Sequence, residues 1–210
     1  MTDAGSPTDR LPTNLPPPVL AVVSGPSGVG KDALMARLLQ GGGFARPLTM
    51  TTRPPRPGEV DGVDYRFASR SAFEAALAAG ELLEHADVHG ALYGSPRREL
   101  RAALASGGDV LLQVDVQGAL ALRELLDGAL LLFIAPESLD QLKQRLRARP
   151  GTAGEELARR LETARAELGQ QDAFDHVVVN IEGDLEGTVE RLRALIAEER
   201  ARTGRRAVEV

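Results

Sequence analysis

The chain has 210 residues, 43% hydrophobic and 26% charged, which suits one compact domain; with aromatics at 3% and no tryptophan, its core must be aliphatic. The formal net charge of −5 argues against general binding to nucleic-acid backbones. The lack of cysteine excludes disulfides and thiolate metal sites and fits a reducing compartment such as the cytoplasm. No apolar run approaches membrane-spanning length and no signal peptide is visible, so neither a membrane nor a nucleic acid is expected as a partner.

Residues 1–18 are polar and end in Pro16-Pro17-Pro18, which reads as a disordered tail. The apolar run Val19–Val23 reads as a buried strand, and Ala33–Leu39 reads as a helix stopped by Gly41-Gly42-Gly43. Between them stands Gly25-Pro26-Ser27-Gly28-Val29-Gly30-Lys31-Asp32. Strand, glycine loop, lysine and helix form the context of a phosphate-binding loop, in which backbone N–H groups and the helix N-terminus face an anion. Lys31 is one of only two lysines against 23 arginines, so a compact ammonium stands where the outer phosphates need one. The loop pattern asks for Ser or Thr at the next position to hold magnesium, and this chain has Asp32. Its carboxylate either ligates the metal or turns away as a helix-start residue.

Three prolines deny helix to the segment from Leu48 to Glu59, and strands and loops are expected through Phe67. Ser71-Ala72-Phe73-Glu74 reads as a capping box opening a helix to about Ala79. Glu81–Val88 reads as a strand and Ala91–Gly94 as strand or turn; Ser95-Pro96 reads as cap and first residue of a helix to about Ala105. Further strands are expected at Val110–Asp115, Ala129–Ile134 and Val177–Asn180. Helices are expected at Leu120–Leu126, after the capping box at Ser138, from Glu155 to about Gly169, and from about Leu185 to Arg200, with a loose tail at 201–210. Apolar strands alternating with helices indicate an α/β domain whose parallel sheet is covered on both faces. The polar stretch 49–94 interrupts the alternation as an inserted subdomain.

Arg53 and Arg56 stand three apart in a proline-stiffened segment, suited to a bidentate grip on a monophosphate. Glu84 is a charged residue in an otherwise half-apolar strand, and its carboxylate can accept from two adjacent donors of a ligand. Arg145 and Arg149 share a helical face on one side of Pro150-Gly151-Thr152, and Arg160 lies on the other. The histidines show no metal-site spacing.

The phosphate loop, the segment Thr51–Glu59 of pattern T-T-R-x-P-R-x-G-E, Asp64-Tyr65-Arg66-Phe67, Tyr93-Gly94 and Val114-Asp115-Val116-Gln117-Gly118 together resemble guanylate kinase, from about Val19 to Ile196. The resemblance implies a nucleoside monophosphate kinase fold with a core (19–48, 95–144, 170–200), a GMP-binding subdomain (49–94) and a helical lid (145–169). It implies transfer of the γ-phosphoryl of ATP to GMP, giving ADP and GDP in purine metabolism, with Mg²⁺ accompanying ATP, in a cytoplasmic monomer or homodimer. The residues it implies for ATP are Gly25, Pro26, Ser27, Gly28, Val29, Gly30, Lys31, Asp32, the lid arginines Arg145 and Arg149, and Asn180 beside adenine. For GMP it implies Arg53, Arg56, Tyr65 and Tyr93 on the phosphate and Thr49, Glu84 and Ser95 around the base. Lys31, Arg56, Arg145 and Arg160 are then the catalytic set. Asp32 holds the metal, with Asp115 behind it or beside GMP. Thr49 stands where the family usually has Ser, and Gln113 where it usually has a carboxylate. A non-catalytic binding module on the same fold and a kinase of another small phosphate, such as a ribose bisphosphate, are the alternative readings.

Overall fold

The apolar run after Pro18 becomes β1 (Leu20–Ser24), buried along its whole length. A strand can be apolar at every position only where both sheet faces are covered. The computed structural model describes residues 16–88, 90–148 and 154–210. After β1 come α1 (Lys31–Gln40), β2 (Phe44–Ala45), β3 (Met50–Thr51), β4 (Arg66–Phe67), α2 (Arg70–Ala78), β5 (Leu82–Val88), β6 (Ala91–Pro96) and α3 (Arg97–Ala105). The chain closes with β7 (Asp109–Gln113), α4 (Val116–Leu125), β8 (Leu130–Pro136), α5 (Leu139–Arg147), α6 (Gly154–Leu168), a 3₁₀ turn, β9 (His176–Asn180) and α7 (Leu185–Ala201).

Two sheets result. The first is parallel, in the order β2-β7-β1-β8-β9, and β1 pairs with β7 and β8 through Val22↔Leu112 and Val22↔Leu131. Alternation along β1 sends Val19, Ala21 and Val23 into one apolar cluster and Leu20 and Val22 into another. The first cluster packs α1, α5 and α7 on one face, and the second packs α3 and α4 on the other. The chain crosses from β7 to β8 over β1, so the crevice at the carboxyl end of β1 is where such sheets hold ligands. The second sheet, β4-β3-β6-β5, is mixed and packs its own small core of Met50, Phe73 and Leu82.

Several local expectations are corrected. Helix α2 is capped by Ser69, whose Oγ accepts from Ala72 N at 3.1 Å, so Ser71 lies inside the first turn. Ser69 alone has the extended backbone a cap requires. Ser95 stays in β6, and α3 starts after Pro96. Helix α4 starts at Val116, earlier than expected, because Asp115 caps it by accepting from Gly118 N at 2.6 Å. The tail at 201–210 is held rather than loose: Val208 is buried, Arg101 donates to Val210 O at 2.7 Å, and Arg205 donates to the carbonyls of Pro17 and Pro18. Pro17 and Pro18 are thereby tied to the domain, while the rest of the expected N-terminal tail up to residue 15 lies outside the described residues. No described helix is long and apolar enough to cross a membrane.

Candidate active site

The loop after β1 is shaped by backbone that only glycine adopts without strain. Gly25 has φ +136°, and a Cβ there would lie 2.2 Å from Ile134 O. Gly30 has φ +104° and precedes α1 with no side-chain cap, so the first-turn amides face the cavity side unengaged by a capping group. Lys31 Nζ donates to the loop carbonyls of Gly25 and, at 3.0 Å, Pro26, which folds the ammonium over the cradle. Val29 O anchors the outer side of the loop, accepting from Asn180 Nδ2 at 2.7 Å and Arg145 at 3.0 Å.

Facing the loop is a cavity of about 690 Å³. It gathers Gly25, Ser27, Gly28, Gly30, Lys31 and Asp32 from the loop with Thr49, Arg53, Arg56, Tyr65, Glu84 and Tyr93 from the second sheet. Gln113 and Asp115 join from the end of β7, and Arg160 and Glu167 from α6. Pro26, Val29, Asn180, Arg145 and Ser95 do not line it. Asn180 and Arg145, expected to touch ATP, are engaged with the loop carbonyl, and Ser95 reaches the cavity only through Glu84. Arg149 lies outside the described residues, as do His89 and the Pro150-Gly151-Thr152 connection.

On the second sheet the side chains are held by one another. Arg53 forks onto Glu59 with bonds of 2.8 and 2.9 Å, donates to Tyr93 Oη at 3.1 Å and lies 5.4 Å from the Tyr65 ring centroid. The paired Glu59 carboxylate holds the Arg53 guanidinium above its ordinary range, so its charge is fixed. Glu59 also accepts from the Arg56 backbone N at 2.7 Å, which sets the loop that carries the exposed Arg56 side chain. Tyr65 has its hydroxyl pushed up, first by burial and then by the negative charge of Asp32 across the cavity.

Glu84 is 7% exposed and accepts from Ser95 Oγ at 2.6 Å. Burial pushes its carboxyl up to about 7, the Ser95 bond pulls it back in part, and the nearby Asp115 charge adds to the rise. Asp115 is itself raised by burial, against the Gly118 bond that favours its charged form. On α6, Arg160 is braced by a Glu156 carboxylate that also takes the solvent-facing Arg159.

A family model for guanylate kinase matches residues 18–199. The chain belongs to the guanylate kinase family. It is 45% identical over 186 residues to a guanylate kinase of Thermus thermophilus, covering 89% of this chain and 84% of the relative. It is 49% identical over 169 residues to one of Nocardia farcinica, covering 78% and 86%. The crystal structure of the guanylate kinase from Anaplasma phagocytophilum superposes with a TM-score of 0.75 at 32% identity, over 90% of this chain and 89% of that one. As a guanylate kinase the protein is an ATP:GMP phosphotransferase, and neither the binding-module nor the ribose-bisphosphate alternative is favoured.

Two residues of this guanylate kinase site were not anticipated. Glu59 was read only as part of a motif, yet it fixes both arginines of the segment. Glu167 enters the cavity from α6, with Oε2 buried and unbonded among the described residues. Burial pushes its carboxyl up to about 7, and the Lys31 charge pulls it back in part. A spacing signal existed: Arg160, Ala164 and Glu167 follow the i, i+4, i+7 stripe of one helix face, with Ala164 buried between the two charged groups.

Proposed function

We propose that the two ends of this cavity divide ATP:GMP phosphotransfer between them, the loop end taking ATP and the second sheet taking GMP. The observation that carries the reading is the single cavity joining the phosphate loop, Arg53, Arg56, Tyr65 and Tyr93, Glu84, and Arg160. Phosphoryl transfer needs no protein nucleophile; it needs donor and acceptor phosphates in line with their charge neutralised. Loop amides and Lys31 hold the ATP phosphates. Arg56, with the Tyr65 and Tyr93 hydroxyls, grips the GMP phosphate, and the Glu59-bound Arg53 holds that side of the cavity in shape. Glu84, ionised when GMP is bound, accepts from N1–H and the 2-amino group of guanine, with Ser95 steadying the carboxylate and Thr49 alongside. Arg160 meets the transferring phosphoryl. Arg145 supports the loop through Val29 and reaches ATP with Arg149 on closure of the lid.

Magnesium fits the donor set. Asp32 offers a hard carboxylate oxygen among the loop residues that line the cavity. Mg²⁺ is held in just that way, by one or two carboxylates with substrate phosphates and waters. Bound with ATP, Mg²⁺ supplies charge neutralisation across the outer phosphates. Asp115, already used as the α4 cap, would support the metal only at one remove. We include in the proposal a cytoplasmic location and a monomer or homodimer. A coupled ADP-release assay with ATP and each of GMP, AMP, CMP and UMP tests the reading: turnover is expected with GMP, and comparable turnover of AMP would refute the role given to Glu84.

A further inference from the structure

The chain departs from the expected pattern at two chemically important positions, and the two departures touch. Asp32 stands where a phosphate loop has a hydroxyl, and Gln113 where the resemblance led us to expect a carboxylate. Gln113 Nε2 donates to Asp32 Oδ1 at 2.8 Å, across 81 residues of sequence. A carboxylate can only accept, so the Gln113 side chain must present its NH₂ rather than its oxygen to Asp32. Both residues line the cavity. The pair therefore still holds one carboxylate and one neutral group, with the negative charge on the loop side of the hydrogen bond.

The mounting of the two groups differs. Asp32 is the second residue of α1, beside the loop and exposed, so its side chain is free to rotate unless something holds it. Gln113 is the last residue of β7, in register with Val23 of β1 inside the parallel sheet. Its backbone is therefore fixed by a strand ladder. Its amide is also an uncharged donor. It holds Oδ1 without neutralising the carboxylate, whereas a lysine or arginine there would cancel the charge and a second carboxylate would repel it. Oδ2 takes no hydrogen bond from the described residues and is left for a ligand.

We propose that Gln113 is a positioning residue for this chain's own version of the metal site: its amide locks the Asp32 carboxylate so that Oδ2 faces the cation carried with the nucleotide phosphates. Residues that orient a metal ligand typically matter about 10- to 100-fold in metal affinity when lost. The inference rests on the reading of Asp32 as a metal ligand, and the test separates the two.

Mn²⁺ affinity is measured by electron paramagnetic resonance on the full chain with saturating ADP, so that no turnover occurs. Gln113→Ala and the similarly sized Gln113→Met are expected to weaken Mn²⁺ about tenfold. Asp32→Asn should weaken it at least as much, and adding Gln113→Met to Asp32→Asn should cost nothing further, because the two residues act as one unit. The exchanged pair Asp32→Ser with Gln113→Asp, which returns the charge to the β7 side, should lie within a few-fold of the parent. ADP affinity in EDTA should stay within about twofold for the Gln113 variants; a merely structural glutamine would change it together with the metal. Unchanged Mn²⁺ affinity in both Gln113 variants, with a loss in Asp32→Asn, overturns this proposal and leaves Asp32 as a ligand. No loss in Asp32→Asn overturns the metal reading, and the proposal with it.

Discussion

The two ends of the cavity are built by different means. The loop end is backbone: glycines in left-handed conformations, helix-start amides, and Val29 O pinned by Asn180 and Arg145. The second sheet is side chain: Arg53 held by Glu59 and Tyr93, Tyr65 against Tyr93 at a ring separation of 6.2 Å, and Glu84 held by Ser95. A backbone site recognises what every nucleoside triphosphate shares, its phosphates. A side-chain site can hold a buried carboxylate against specific donors and so discriminate between bases. On the proposed division, generality sits on the backbone end and selectivity on the side-chain end.

The sharpest test of that division is base choice. The unaltered protein should prefer GMP over AMP by about 10⁴-fold in kcat/KM, since a site built to hydrogen-bond its substrate leaves buried groups unpaired against the wrong one. Glu84→Gln should erode the preference by tenfold or more without altering KM for ATP. Steady-state kinetics with both acceptors would break the comparison if ATP binding suffered equally.

Next in size is Arg160, which enters the cavity from α6 and belongs to neither the loop nor the second sheet. Arg160→Ala should lower kcat by about 10³-fold with little change in ATP affinity, as expected of a group that acts on the transferring phosphoryl. Equal losses in affinity and rate would mean uniform ground-state contact.

On the backbone end, Gly25→Ala should destabilise the protein by about 3 kcal/mol, from a strained φ and a collision with Ile134 O. That corresponds to a melting temperature lower by roughly 10 °C. Its counterpart on the side-chain end is Arg56→Ala, an exposed residue whose loss should leave melting unchanged. Misplacing the acceptor phosphate should nevertheless cost about 10²-fold in kcat/KM for GMP. Calorimetry and kinetics on the pair sharpen the contrast: stability falls at one end and catalysis at the other.

The smallest effect is the pH dependence of stability. Burial raises the folded-state pKa of Glu84 and of Glu167 to about 7, above the usual carboxyl value. The protonated forms are the ones the fold tolerates. Their contribution is therefore fully present below about pH 4.5 and lost as pH rises through 7. Relative to the parent, Glu84→Gln should gain a few degrees in melting temperature between pH 5 and pH 8. An unchanged difference across that range would mean Glu84 is solvated. If Glu84 accepts from guanine in its ionised form, as proposed, GMP should release a proton on binding near pH 6.5, measurable by calorimetry in buffers of different ionisation enthalpy.

What could be read from the sequence was local. Strand, glycine loop, lysine and helix are contiguous, so the pattern and its geometry follow from neighbouring residues, and the chain adopts them at β1 and α1. The segment of Arg53, Arg56 and Glu59 is equally compact. Even a local feature differs from the expectation at α2, capped by Ser69 and not Ser71, because capping depends on which backbone is extended and not on residue type alone. Tertiary structure alone decided what depends on distant partners. Ser95 serves Glu84 and not a helix because β5 and β6 pair; Glu167 meets the cavity because α6 folds over the loop; Asp32 meets Gln113 because β7 lies beside β1. Burial and desolvation are set by residues far away in sequence, so the raised carboxyl groups of Glu84 and Glu167 could not be read from their neighbours, even though helix spacing puts Glu167 on the face of Arg160; turns and glycine loops are set locally.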